Sequence, residues 1–169
     1  MDNLNILILV FSMMISSFKP RAFLTAFICL SMVTAALNAQ AQTKSKITLT
    51  IDGLKNKNGQ ICASLFASNK GFPGNGDDAI KSGCVTITEV PVVMNFEDLQ
   101  PGSYAIAVLH DANSDNKANR NGLGIPTEGF GFSKNPTILA GPPKFNDTAV
   151  VVAGENTKIN IKLQYLLGG

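Results

Sequence analysis

From residue 46 onward, apolar and polar side chains alternate with a period of two, and no sustained helical period interrupts them. Ile47, Leu49 and Ile51 alternate with Thr48, Thr50 and Asp52, and β-branched residues with one apolar face are what a half-buried strand needs. Residues 53–59 (GLKNKNG) carry turn chemistry. In residues 60–67, Ile61, Ala63 and Leu65 oppose Cys62, Ser64 and Phe66, so this second strand is expected to pair with the first as a hairpin. Residues 69–81, with Gly71, Pro73, Gly74 and Gly76, read as loop. Strands recur at 84–88, 92–96, 103–109, 148–152 and 157–165, the last with Ile159, Ile161, Leu163 and Tyr165 on one face. About seven short strands separated by turns predict an all-β sandwich.

Asp98-Leu99-Gln100-Pro101-Gly102-Ser103-Tyr104 sharpens this reading. Proline fixes a turn, glycine accepts a positive φ, and Tyr104 can cap the corner with its hydroxyl while its ring enters the core. The Leu-x-Pro-Gly-x-Tyr element is similar to one in transthyretin-like and other small Ig-like domains, and its role is architectural. Between Leu109 and Thr148 lie nearly forty residues with little strand pattern. A connection that long in a compact domain is functional or hides further elements. Leu123, Ile125, Phe130, Phe132, Ile138, Leu139 and Phe145 make it too apolar for a linker, while its glycines permit tight folding back and Pro126, Pro136, Pro142 and Pro143 stiffen it. A long, ordered Gly/Pro-rich capping loop over one end of the sandwich is expected, built with a short hairpin or one helical turn.

The N-terminus changes the picture of where the domain resides. Lys19 and Arg21 flank an apolar run at 22–36, and Ala39-Gln40-Ala41 offers small residues for cleavage, the order of an export signal. Residues 1–41 therefore read as an N-terminal hydrophobic region and signal peptide, with the mature protein starting near Gln40 or Gln42 and 42–169 forming a single domain. The apolar residues before Lys19 lack a basic start; they fit an overcalled start codon, with Met13 or Met14 as alternatives, or a second hydrophobic segment. A transmembrane anchor is the competitor, but the Lys19-Pro20-Arg21 break leaves two runs that are each short for a bilayer span of roughly 20 residues. No transmembrane segment is expected in the mature chain, and the location is periplasmic, extracellular or cell-surface. The full chain has 14 Lys and Arg against 12 Asp and Glu. Losing Lys19, Arg21 and Asp2 leaves about +1 without a block of either sign, so nucleic acid has no electrostatic argument. Cys62 and Cys84 remain after cleavage, and an even count in an exported chain favours a disulfide over two separate buried thiols.

Candidate chemistry is concentrated in residues 110–133 (HDANSDNKANRNGLGIPTEGFGFS). Asp111, Asn113, Asp115, the Lys117 carbonyl and Asn119 could converge on a hard cation, as Ca²⁺ takes six to eight oxygen ligands in irregular geometry. An EF-hand is rejected, because its sixth and twelfth positions would be Asn116 and Gly122 instead of glycine and glutamate. Only two carboxylates are local, Glu128 would have to fold back, and Lys117 and Arg120 oppose a cation. The other reading is that Asp and Asn form turns by bonding their own backbone. His110 is the only histidine. Its ordinary role at a strand end is to hold a loop through a backbone carbonyl; the rival is a small hydrolase using His110 with Glu128 or Asp111, although no serine sits in a nucleophile elbow. One histidine and two cysteines cannot furnish a usual zinc set. Phe130 and Phe132 suggest either an aromatic platform or a plug that seats the cap, and the absence of Trp weakens a sugar-stacking role.

The combination of Pro-Gly-x-Tyr-Ala, His-Asp-x-Asn, Gly-Ile-Pro-x-Glu-Gly and Gly-Phe-Ser in this order, followed by Gly141-Pro142-Pro143-Lys144-Phe145, resembles the DUF2141 family of exported bacterial proteins. The resemblance covers essentially the whole mature chain and implies an exported single β domain of unassigned function. The chain departs where that family's loop commonly carries an acidic residue and Asn119 stands here, which lowers the charge available to a metal. The resulting expectation is a non-enzymatic binding or structural protein of the cell envelope. No cofactor is required unless Ca²⁺ orders 111–119, and the partner is an envelope protein or small ligand met at a face that includes His110, Glu128, Phe130 and Phe132.

Overall fold

Strand β1 (Ser45–Asp52) turns Ile47, Leu49 and Ile51 inward, and all three are fully buried. The computed structural model describes residues 44–138 and 141–166; the expected leader at 1–41 lies outside them. Both edges of β1 are occupied, by β4 (Val92–Leu99) antiparallel and by β8 (Asn156–Lys162) parallel, which gives a three-stranded sheet in the order β4-β1-β8. The second sheet runs β3-β2-β5-β6, from β2 (Gln60–Phe66), β3 (Lys81–Thr86), β5 (Gly102–Asp111) and β6 (Gly129–Phe132), and β7 (Val150–Val152) pairs with the early part of β5. Among the described residues the architecture is all-β in two sheets, with eight strands where about seven were expected. Among the described residues helix is limited to a 3-10 turn at Gly76–Asp78 and one turn, α1, at Phe145–Thr148.

The expected β1–β2 hairpin does not form: β2 pairs with β3 and β5, in the opposite sheet. Alternation along β1 and β2 identifies which face of each strand is apolar but not which edge meets which neighbour. The connection 53–59 is long enough to cross between sheets. β3 begins at Lys81, earlier than its apolar pattern suggests, because its ladder to β2 extends through Ser82 and Gly83. Cys62 and Cys84 lie opposite one another in that ladder and form the disulfide.

The core between the sheets is made by Ile47, Leu49, Ile51, Met94, Phe96, Ile159 and Ile161 on one side and Ile61, Leu65, Ile106, Val108 and Val152 on the other. Tyr104 enters this core with 6% of its surface exposed, and its hydroxyl donates to the Gln100 carbonyl at 2.7 Å, so the expected corner is present. The outward faces differ in character. Thr48 on β1 bonds Asn95 and Asn156 across its sheet, a polar face turned to water. The outward face of the other sheet carries Phe66, Ala107, Leu109, Phe130 and Phe132. Residues of the segments 112–138 and 141–148 and of the 67–80 loop lie over it: Phe72 packs edge-on against Phe66, Phe132 and Phe145 with ring centroids 5.4–6.1 Å apart. The long loop thus lies over a sheet face and not over the end of the sandwich, because β5 is apolar on both sides and needs cover on both. It also contains a strand absent from the sequence reading, β6, and the single helical turn α1.

Candidate functional site

Strand alternation sends the neighbours His110 and Asp111 to opposite faces of β5. His110, 1% exposed, lies on the inner side beside Ile61. Its Nε2 is 2.9 Å from the Asn58 carbonyl and its Nδ1 is 2.7 Å from the Tyr165 hydroxyl. A carbonyl can only accept, so Nε2 carries the proton and Nδ1 accepts from Tyr165. The Tyr165 oxygen in turn accepts from Lys55 N–H at 3.2 Å. Burial pushes the Tyr165 phenol up, against the opposing pull of that N–H, so the hydroxyl keeps the proton it donates. The chain Lys55–Tyr165–His110–Asn58 ties both flanks of the 53–59 connection to the end of β5. Gly59 fits here because a Cβ would strike the backbone of Asp111 and Ala112, and its φ is +71°.

Asp111 is fully buried. One carboxylate oxygen accepts from Gln60 Nε2 at 2.9 Å and from Asn116 N–H at 2.8 Å, and the other accepts from Asp115 N–H at 3.1 Å. Burial pushes this carboxyl up, but the Gln60 amide and the N–H groups of Asn116, Asp115 and Ser114 outweigh it and hold Asp111 below the usual carboxylate range. Glu128 folds back, 9% exposed, and accepts from Ala112 N–H and Asn119 N–H, each at 3.0 Å. Two buried carboxylates therefore gather the backbone donors of 112–119, and beyond them Asn119 to Thr127 closes a small hairpin with Asn121 N–H bonded to the Ile125 carbonyl and Thr127 N–H to the Asn119 carbonyl.

The five residues expected around a cation do come together, through bonds of their own. Asn113 donates to Asp115, Asp115 accepts from Lys117 N–H, and the Asn119 side chain reaches Asp115. One terminal atom of Asn119 lies 2.8 Å from the Lys117 carbonyl, 3.2 Å from Asp115 Oδ1 and 3.3 Å from Glu128 Oε2; as nitrogen it donates to these oxygens. Among the described residues no group of three or more His, Cys, Asp and Glu is disposed to hold a metal. His110 has no hydrogen bond to Asp111 or Glu128, whose partners are the loop N–H groups and Gln60. Ser133 is fully buried, accepting from Ile106 N–H and donating to the Thr148 carbonyl.

Beside this network the covered sheet face leaves a cavity of about 450 Å³. Its floor is Cys62 and Ser64 of β2, Ala107 and Leu109 of β5, and Phe130 and Phe132 of β6. One wall comes from the loop that the two carboxylates hold, with Asn116, Arg120 and Ile125; the others come from Pro73 and Gly74 and from Ile138, Pro142 and Leu166. Asn116 couples wall to network, since its side-chain oxygen accepts from Gln60 at 2.9 Å and lies 3.7 Å from Cys84 Sγ. Of the sequence candidates, Phe130 and Phe132 are in the floor, Glu128 and Asp111 anchor a wall, and His110 is on the other side of the sheet. The floor positions 64, 107 and 109, with Gln60, were not singled out from sequence, where Cys62 is read only as a disulfide partner and Arg120 only as a charge opposing a cation. The uninterrupted apolar run Ala105-Ile106-Ala107-Val108-Leu109 was the available signal, because a strand apolar on both faces is covered on both.

Fold and cavity together define a two-sheet β domain with one covered face and a cavity on that face. The chain belongs to a family described as uncharacterised proteins conserved in bacteria, DUF2141, whose model matches residues 49–160. No curated protein and no solved structure matches the chain.

Proposed function

We propose that the chain is an exported, non-enzymatic binding protein of the cell envelope that receives a small apolar ligand between the outward face of β2-β5-β6 and the described residues of the segments 112–138 and 141–142 that lie over it. The observation that carries this reading is the cavity of about 450 Å³ over an apolar floor, within the roughly 300–1,000 Å³ range of small-molecule sites. The disulfide supports an oxidising compartment. Among the described residues no helix is long and apolar enough to cross a membrane. The hydrolase alternative draws no support from His110, whose ring nitrogens are both engaged in the 53–59 anchor. The test is titration of the purified mature protein with Nile red, a neutral apolar dye. Saturable uptake by wild type, lost in Ala107→Trp while the far-ultraviolet dichroism is kept, supports the proposal; no uptake, or equal uptake by the filled variant, overturns it. N-terminal sequencing of protein from the native host tests export, expected to begin near Gln40 or Gln42.

A weak Ca²⁺ site belongs to the same proposal. Its support is that the Lys117 carbonyl, Asp115 Oδ1 and Glu128 Oε2 converge on one point, which the Asn119 amide nitrogen fills; a cation that displaced this amide would meet three oxygens. Thermal melts in millimolar CaCl₂ against EDTA at matched ionic strength decide it. A calcium-dependent rise in wild type that disappears in Asp111→Asn/Asp115→Asn is expected; no rise, or an equal rise in the variant, removes calcium from the reading.

A further inference from the structure

We infer that the ligand is a single-chain carboxylate amphiphile, its chain on the β2-β5-β6 floor and its acid group at Arg120. This rests on the cavity being a binding site and adds the chemistry of the occupant. Among the described residues, Arg120 is the one charged member of the cavity lining and no carboxylate side chain joins it, so the described lining offers an anion a partner and a cation none. The guanidinium is positioned: its Nη1 donates to the Gly124 carbonyl at 2.9 Å, and Arg120 pairs with Pro126 across the small hairpin. Four further N–H donors belong to the same planar group, which suits a carboxylate through two parallel bonds. The described ion pairs, Lys44–Asp98 and Lys70–Asp78, do not involve it.

Size and polarity argue for one chain. At about 450 Å³ the cavity lies toward the lower end of small-molecule sites, too small for a two-chain lipid. Apart from Arg120, its polar side chains are Ser64 and Asn116, and Asn116 is already bonded to Gln60, so a ligand with many hydroxyls would lose hydrogen bonds on entry. Leu123, 84% exposed, adjoins the lining residues Gly124 and Ile125 and extends the apolar surface on the same hairpin as the cation.

Calorimetric titration with decanoate, decanol and decyltrimethylammonium, each below its micelle concentration, tests the inference. Wild type is expected to bind decanoate about tenfold or more tightly than decanol, the scale of a charge-assisted hydrogen bond, with decyltrimethylammonium weakest. Arg120→Gln should remove the preference for decanoate over decanol, and Arg120→Lys should restore part of it. Equal binding of decanoate and decanol to wild type, or a preference kept in Arg120→Gln, overturns the anion site while leaving the apolar cavity standing. Failure of all three probes and of Nile red overturns the cavity reading itself.

Discussion

Replacing Asp111 with asparagine changes one oxygen to an NH₂ group and leaves the shape intact. In the best orientation the remaining oxygen keeps Gln60 Nε2 and Asn116 N–H, both at Oδ2, and the new NH₂ then faces Asp115 N–H, which sits 3.1 Å from Oδ1. A buried donor left without its acceptor costs about 1–3 kcal/mol, and each retained bond falls from the charged to the neutral class, losing about 1 kcal/mol. Asp115 N–H can lean on Asn113 Oδ1 at 3.3 Å, which recovers part of the first term. The net expectation is a loss of about 2–4 kcal/mol, or roughly 8–16 °C in Tm for a domain of this size. Thermal unfolding at neutral pH with the disulfide intact gives the total, and amide exchange gives the location: the N–H groups of Asp115 and Asn116 should exchange faster while those of β1 keep their order relative to global unfolding. A variant melting within about 2 °C of wild type, with unchanged exchange at 115 and 116, would refute the view that this carboxylate holds the wall.

Acid should act through the same group. Because Asp111 titrates lower in the folded chain than the 3.8 of a free aspartate, its stabilisation is complete above the unfolded value and is lost as pH falls through the folded one. Urea midpoints should show a constant gap between wild type and Asp111→Asn above about pH 5 that narrows in stronger acid; a gap undiminished at about pH 2 contradicts this. Tyr165→Phe removes the donor to His110 Nδ1 and the acceptor for Lys55 N–H, so a loss of about 1–3 kcal/mol is expected by urea unfolding, and an unchanged midpoint would show that water replaces the hydroxyl. Cys62→Ala/Cys84→Ala opens a cross-link with a sequence separation of 22, worth about 3 kcal/mol in the chain-entropy model, and equal stability of oxidised wild type and variant would count against it.

The elements visible in the sequence are those fixed by local physics. Ile47, Leu49 and Ile51 could be placed on one buried face because a strand has a period of two, and Tyr104 could be placed at a corner because Pro101 and Gly102 make the turn. Pairing was not local: β1 takes its parallel neighbour β8 from the far end of the chain, and nothing in residues 45–66 distinguishes that from a hairpin. The loop 111–119 was legible as a cluster of oxygens, but whether they gather a cation or their own N–H groups depends on the positions of Gln60, Ala112 and Asn116. The role of Glu128 depended on a fold-back through the 119–127 hairpin. The cavity was least legible, since Ala107 and Ser64 are ordinary strand residues until the cover is placed over them.

Residues 64, 107 and 109 look away from the packing between the sheets, on strands whose alternate residues 61, 63, 106 and 108 make that packing. Changing the lining therefore need not disturb the residues that hold the two sheets together. Under the proposed binding role, the division would make the domain a scaffold whose selectivity is rewritten at three side chains: enlarging Ala107 or Ser64 shortens the chamber, and trimming Leu109 deepens it. A small combinatorial library at these three sites, sorted by which dyes its members retain, would diversify recognition on an unchanged frame.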